Sequence, residues 1–348
     1  MPSARSSALG GNHVALADDF YSLFTNPAAF VGVKEEFSAA ELTLNTYGPL
    51  FEIMDMILSN PSSLEDLDLS GIIDKRGFAA GMDLGGPLSL GWVGRSLGLG
   101  IFNRIKADAT VSGFKLKPMV SGEVLLVGGY SYRILNKERH VLDAGFLGKG
   151  FYRMGLNLES SIFNAGEIFD DVGKTPLTTV LGLGFDLGVK YTFAENLSAA
   201  LVCFDAYSPA VVSTFHSLDD FNDKEKPDES HYATVKPRLA LGLKYRIRST
   251  WLDKYISNFT VLADYQDFFD LASLIPRNPI LNVGLGAELV VLEKLSLRFG
   301  INDALPALGF GLDLSFMQLD CAIYGRELGL DPGFQSTYAI DIGLLFRY

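Results

Sequence analysis

From about residue 35 to the C-terminus, bulky apolar residues alternate with small or charged ones at a period of two. In "RGFAAGMDLGGPLSLGWVG", Phe78, Ala80, Met82, Leu84, Leu88, Leu90 and Trp92 share one parity, and Ala79, Gly81, Asp83, Gly85, Ser89 and Gly91 the other. "PRLALGLKYRI" sets Leu239, Leu241, Leu243, Tyr245 and Ile247 against Arg238, Ala240, Gly242, Lys244 and Arg246. "LTTVLGLGFDLGVKYTF" and "NVGLGAELVVLEKLSLRFG" repeat the pattern. Successive side chains of a β-strand point to opposite faces, so the pattern predicts strands with one bulky face and one small or charged face.

Glycine weakens a strand unless something needs the room. A sandwich pairs its large core residues with a solvated, glycine-poor face. Bulky apolar residues facing lipid, and small or charged residues facing a crowded lumen, suit a membrane β-barrel. The pattern predicts about fourteen strands. They lie near 35–47, 77–94, 97–111, 119–134, 139–155, 178–193, 197–208, 233–247, 257–269, 279–292, 294–302, 305–315, 316–326 and 335–348. Connections after even strands are mostly short ("RS", "NKE", "AEN", "EK"), and most after odd strands are long: 48–76, 156–177, 209–232, 270–278 and 327–334. The expected fold is all-β, a transmembrane up-and-down antiparallel β-barrel with both barrel ends on the short-turn, periplasmic rim. Several strands exceed the ~9–11 residues that cross a bilayer, so the barrel should project beyond it.

Composition fits this reading. The 348 residues are 48% hydrophobic, with 36 glycines, and no run approaches the ~18 apolar residues of a membrane helix. A net charge of -12 argues against nucleic acid as a partner. Cys203 and Cys321 sit apart in strand patterns and read as two buried thiols, with no metal site. His13, His140, His216 and His231 are scattered. His216 near Asp219 and Asp220, and His231 near Asp228 and Glu229, lack any nucleophile motif, so catalysis is not expected. Glycine-rich runs such as "LGLGIF" lie in strand patterns and read as sheet glycines, so no cofactor is expected. No export signal is visible. The expectation is a mature outer-membrane chain whose signal has been cut off.

Three segments depart from plain alternation. "PLFEIMDMILSNPSSLEDLDLSGIIDK" in the loop 48–76 has a helical stripe, Leu50, Phe51, Met54, Ile57 and Leu58, ended by Asn60-Pro61. It either caps the barrel or, through Phe51, Met54, Ile57 and Leu58, binds a hydrophobic ligand. Gly85-Gly86-Pro87 interrupts the second strand without changing its parity. Proline gives the ladder no N–H and glycines allow a bend, so the site is either a bulge or a lateral gate in the wall. The C-terminal "YAIDIGLLFRY" puts Tyr338, Ile340, Ile342, Leu344, Phe346 and Tyr348 on one face, a strand suited to recognition by the barrel assembly machinery.

Residues 1–34 precede the first strand. They combine turn chemistry at Gly10-Gly11 and Asn26-Pro27 with apolar Leu9, Val14, Leu16, Phe20, Leu23 and Phe24. A segment packed inside the barrel satisfies both features, with Asp18, Asp19 and Asn26 expected to meet inward Arg153, Lys190, Arg238 and Arg298. The stretch "SSALGGNHVALADDFYSLFTNPAAF" resembles the N-terminal hatch of FadL-type long-chain fatty-acid transporters. It is similar also to that of PorV-like barrels of type IX secretion and spirochaete FadL-like barrels. The matching positions are Ser6, Ser7, Leu9, Gly10, Ala15, Ala17, Asp18, Asp19, Asn26, Pro27 and Ala28.

The resemblance implies a hatch over 1–34 that plugs a barrel over 35–348, with Ser7, Gly10, Asp18, Asp19, Asn26, Pro27 and Ala28 as hatch residues. It implies capture of hydrophobic molecules, foremost long-chain fatty acids, at outer loops, then hatch movement and lateral exit. The expected partners are such a ligand, outer-membrane lipid and the assembly machinery, and the expected state is a monomer. The alternatives are a PorV-like binding or shuttle barrel and a structural outer-membrane protein.

Overall fold

The computed structural model describes residues 3–49, 78–86, 88–112, 115–161, 172–247 and 256–347. The strands form one closed antiparallel barrel of fourteen staves. They are β1 (Glu36–Tyr47), β2 (Phe78–Gly85 and Leu90–Gly94), β3 (Leu97–Ser112), β4 (Lys115–Lys137) and β5 (His140–Asn157). Then come β6 (Leu177–Phe193), β7 (Leu197–Tyr207 and Pro209–Phe215) and β8 (Glu229–Thr234 and Arg238–Ile247). The circuit continues through β9 (Ile256–Tyr265), β10 (Val283–Val291), β11 (Leu295–Asn302), β12 (Leu305–Asp313), β13 (Met317–Glu327) and β14 (Ser336–Arg347). Each stave pairs with its sequence neighbours, and β14 closes on β1 from Ser38↔Arg347 to Tyr47↔Ala339. Closure leaves no sheet edge, as a bilayer demands of backbone polar groups.

The parity expected from sequence holds around the wall. On β6, Leu181, Leu183, Phe185 and Leu187 are exposed outward, while Gly182, Gly184, Asp186 and Gly188 face in. Among the described residues no helix is long and apolar enough to cross a membrane. The barrel's own apolar exterior is the membrane-facing surface.

Two details differ from the sequence reading: the segment after Ser208 and the burial of the cysteines. The segment 209–215 is not loop: after a break at Ser208, β7 resumes and pairs with both β6 and residues 229–234 of β8. As the expected strand bounds imply, β11 and β12 are joined on the long-loop rim by a two-residue turn, Asp303–Ala304, with φ of 52° and 61°. Cys203 and Cys321 are free and half-buried, at outward positions next to Leu201 and Ile323 rather than in a core. The staves are unequal: β4 has 23 residues and β11 has 8, so the wall is tall around β3–β6 and low around β10–β12.

Candidate functional site

The N-terminal segment is shaped by its own short-range chemistry. Helix α1 (Ala4–Ala8) opens with a capping box: Ser3 Oγ accepts from the Ser6 amide at 3.1 Å, and Ser6 Oγ accepts from the Ser3 amide at 2.9 Å. Gly10 follows at φ +84°, and a Cβ there would lie 2.4 Å from the carbonyl oxygens of Leu285 and Ile301. Helix α2 (Ser22–Thr25) leads into the Asn-Pro-Ala. Asn26 caps the 3-10 turn Pro27–Ala29: its Oδ1 accepts from the Ala28 amide at 2.9 Å, with Pro27 at the first helical position. Its Nδ2 donates to the Val14 carbonyl at 3.0 Å. Asn26 is fully buried and bonds its own segment, not a wall charge.

The segment lies against the inner wall on a track of glycines. A Cβ at Gly188 would meet Asn26 Oδ1 at 2.2 Å, and one at Gly145 would meet the Pro27 carbonyl at 2.4 Å. Gly286 and Gly300 approach Leu9, and Gly98 approaches Leu23 and Phe30. Phe20, Leu23, Phe30 and Val33 join Val93, Phe102, Leu125, Val127 and Leu147 of the wall in the largest apolar cluster among the described residues.

Ion pairs tie the same segment to the wall. Arg5 donates to Asp18 at 2.8 Å, to Asp19 at 2.6 Å and, through two nitrogens, to Glu288 at 2.9 and 2.6 Å. Glu288 continues to Arg298 at 2.9 Å, and Arg298 to Asp320 at 2.5 Å. Lys244 reaches Asp18 at 3.0 Å. His13 Nδ1 lies 2.7 Å from Asp264, whose other oxygen accepts from the Val14 amide at 2.8 Å. Ser7 Oγ donates to Asp341 at 2.8 Å.

Burial alone would raise the Asp18 carboxyl, but Arg5, Lys244 and Lys190 hold it well below the usual carboxylate range. Burial pushes the Asp19 carboxyl up; the Asp18 charge adds to this and Arg5 opposes it. Burial and the nearby Glu41 push the Tyr21 phenol up.

Of the inward cations expected to meet the segment, Lys190 does so directly and Arg298 only through a wall carboxylate. Lys190 donates to the Ala17 carbonyl at 3.2 Å, and Arg298 acts through Glu288. Arg153 pairs instead with Glu123, and Arg238 stacks over Phe204. The central cation, Arg5, escaped sequence reasoning because only the folded segment brings it beside Asp18 and Asp19.

Above the segment, toward the long-loop rim, lies a chamber of about 770 Å3 floored by Ser6, Ser7, Gly11 and Asn12. Its walls are mixed, not the continuous apolar surface expected of a tunnel for greasy cargo. Arg104–Asp83, Arg153–Glu123 and Arg277–Asp303 pairs line it beside Met119, Val180, Tyr47 and Tyr324. Arg326 sits 4.9 Å over the Tyr47 ring.

The wall is interrupted where Gly85-Gly86-Pro87 suggested. Gly85 pairs with Arg104 and Leu90 with Ile101, so residues 86–89 stand opposite only 102–103. Two extra residues preserve parity and break the ladder. The Gly86 amide still donates to the Asn103 carbonyl at 3.0 Å. The Asn103 side chain closes the rest: Nδ2 donates to the Gly86 carbonyl at 2.9 Å and Oδ1 accepts from the Leu88 amide at 3.1 Å. Gly86 has φ +83°, and a Cβ would fall 1.8 Å from the Glu41 carbonyl oxygen, so a side chain here cannot simply restore pairing. Directly inside, Gly91 touches Phe20 of the N-terminal segment. Glu41 Oε2, Ser38 Oγ and Ser89 Oγ, on β1 and β2 around the break, are buried without hydrogen-bond partners among the described residues. Pro87, and the proposed ligand residues Phe51, Met54, Ile57 and Leu58 with their expected helix, lie outside the described residues.

Fourteen antiparallel staves with an N-terminal segment folded into the lumen make a FadL-type fold, shared with solved hydrocarbon channels. The P. putida toluene transporter TodX superposes with a TM-score of 0.50 at 12% identity, covering 99% of this chain and 98% of that one. The monoaromatic hydrocarbon channel CymD gives 0.51 at 11% identity, covering 99% and 96%. A Pseudomonas aeruginosa FadL homologue gives 0.46 at 12% identity, covering 100% and 97%. No family model and no curated protein matches the sequence.

Proposed function

We propose that the chain is an outer-membrane transporter of hydrophobic small molecules, with residues 1–34 as its plug and 35–348 as its barrel. Ligand gathers in the chamber and leaves sideways through the break at 86–89. The observation that carries this reading is that the chamber reaches Asp83 and Arg104 on the long-loop side of the broken β2 ladder, while Phe20 of the segment packs against Gly91 on its other side. A shift of the segment around Phe20 would join chamber to break without opening the rest of the wall. The mixed chamber suits a molecule with a polar head and an apolar body, so long-chain fatty acids are the first class to test. Phe51, Met54, Ile57 and Leu58 are the proposed capture residues, since a tail gains roughly 0.8 kcal/mol per buried CH2.

The test is fluorescent fatty-acid uptake into vesicles holding the full chain. Deleting residues 86 and 87 removes the two surplus residues against β3, and the existing β1 bulge between Ser38 and Ala40 can absorb the change on the other side. Release into the membrane should slow several-fold with binding retained, whereas Phe51→Asp with Met54→Asp should weaken binding. Unchanged release after the deletion rejects the lateral route.

A second reading, a PorV-like binding barrel, is favoured by one observation. The long-loop rim exposes Leu274, Ile275, Leu330 and Phe334 on two loops held together by Arg277. Binding of a secreted protein without ligand uptake would support it.

A further inference from the structure

Among the described residues the wall is lowest at β10 (9 residues), β11 (8 residues) and β12 (9 residues). At a rise of ~3.4 Å per residue and a tilt of ~40°, such strands stand about 20 Å tall, against ~25 Å for the apolar band of an outer-membrane barrel. Two loops rise over this low side: 266–282, between β9 and β10, and 328–335, between β13 and β14. Arg277 ties both to the β11–β12 turn beneath them. It donates to Asp303 at 2.8 Å and to the Glu327 carbonyl at 2.5 Å. Asp303 also accepts from the Glu327 amide at 3.2 Å. The Asn278 amide donates to the Leu330 carbonyl at 2.8 Å and joins one loop to the other.

The polar groups of these loops are spent on one another. Glu327, buried at the top of β13, accepts from the amides of Gly329, Gly333 and Gln335 and from the Ser336 hydroxyl, at 2.6–2.8 Å. All four charged residues of the two loops are bonded as well. Asp267 accepts from the Phe269 amide, Asp270 from the Arg277 amide and Asp331 from the Asn278 side chain, while the Arg277 guanidinium holds Asp303. What the loops expose is apolar: Leu274, Ile275, Leu330 and Phe334, with Ile280 leading into β10, whose Leu285 faces lipid. The loop 216–228, over the taller β7–β8 wall, is the opposite case. Seven of its thirteen residues are charged, and most of these are exposed. Unpaired charge and backbone bar a loop from hydrocarbon, so the charged loop belongs in water and the two bonded loops are free to meet lipid.

We propose that loops 266–282 and 328–335 are a lipid-seated surface: Leu274, Ile275, Leu330 and Phe334 rest on acyl chains of the outer leaflet and continue the barrel's apolar exterior above the low β10–β12 wall. The partner is lipid because the surface is continuous with the lipid-facing wall and adds height on the side where the wall falls short. Arg277 and Asp303 hold the seat to the barrel, so it stands with the wall and does not swing. Such a seat needs only that the barrel stand in a bilayer, whatever cargo it carries.

The test is tryptophan quenching of the full chain, with Trp92 and Trp251 replaced by Phe, in phosphatidylcholine vesicles whose acyl chains are brominated. Leu274→Trp and Phe334→Trp report on the loops, Phe299→Trp on the lipid-facing wall and Lys226→Trp on the charged loop. Heat-resistant gel mobility and quenching at Phe299→Trp establish that the barrel is inserted. Brominated chains should quench both loop positions nearly as strongly as Phe299→Trp, and acrylamide should quench them several-fold less than Lys226→Trp. Quenching by acrylamide equal to that of Lys226→Trp, with none by brominated chains, overturns the proposal and leaves the surface to a protein partner. If Leu274→Trp does not assemble, Phe334→Trp alone decides by the same two outcomes.

Discussion

Asn103 stands where the ladder between β2 and β3 is missing, and its side chain holds Gly86: Nδ2 donates to the Gly86 carbonyl at 2.9 Å. Its Oδ1 accepts from the amide of Leu88, two residues on, at 3.1 Å. One outward polar side chain thus replaces two backbone partners in a lipid-facing wall. The break is present as backbone and closed by a side chain.

Asn103→Leu should open it. The Gly86 carbonyl and the Leu88 amide lose partners they cannot find in hydrocarbon, at a cost of about several kcal/mol for each unsatisfied group. Hydrogen exchange at Leu88 should rise and release of a bound fluorescent fatty acid should quicken. Protection at Leu88 equal to that of the parent would show that Asn103 does not close the wall.

Asn26→Ala should free the segment while leaving the barrel intact. Two buried hydrogen bonds disappear, with about 1–3 kcal/mol for each group left unpaired. Gly188→Ala attacks the same contact from the wall, because its Cβ would meet Asn26 Oδ1 at 2.2 Å. Both variants should show faster exchange across residues 12–28 with unchanged heat-resistant mobility. Loss of barrel assembly in both would make this turn a folding element and not a plug contact.

The two neighbouring aspartates should respond oppositely to pH. The Asp18 carboxyl is held below its ordinary value of 3.8, so its stabilising share is present above that value and is lost as pH falls through the lowered one. Asp19 is raised from 3.8, so its share is present below that value and is lost as pH rises through the raised one. At neutral pH, Asp18→Asn should loosen the segment, and Asp19→Asn should leave it unchanged or tighter. The contrast should shrink as pH falls from about 5 toward 3. Protease sensitivity of the segment reads this directly; greater loosening by Asp19→Asn at neutral pH would contradict it.

The wall was legible in the residues alone. Period-two alternation is a local property of each strand, so fourteen staves, their parity and the position of the β2 break could be read from residues such as Leu84, Leu88, Gly85 and Gly86. The Asn-Pro-Ala turn was legible for the same reason, since a cap and its proline act within three residues. What lies across the lumen was not legible. Inward glycines said only that room was needed. The fold decided that Gly188 makes room for Asn26 and Gly286 for Leu9, more than a hundred residues away in sequence. Arg5 and Glu288 are likewise 283 positions apart, and nothing local pairs them. In the sequence Asn103 shares the parity of Leu99, Ile101 and Ile105, and nothing local sets it apart. Only the register, with 86–89 opposite 102–103, placed it against unpaired backbone. Parity follows from the geometry of one strand, whereas a contact needs the closed circuit that brings distant strands together.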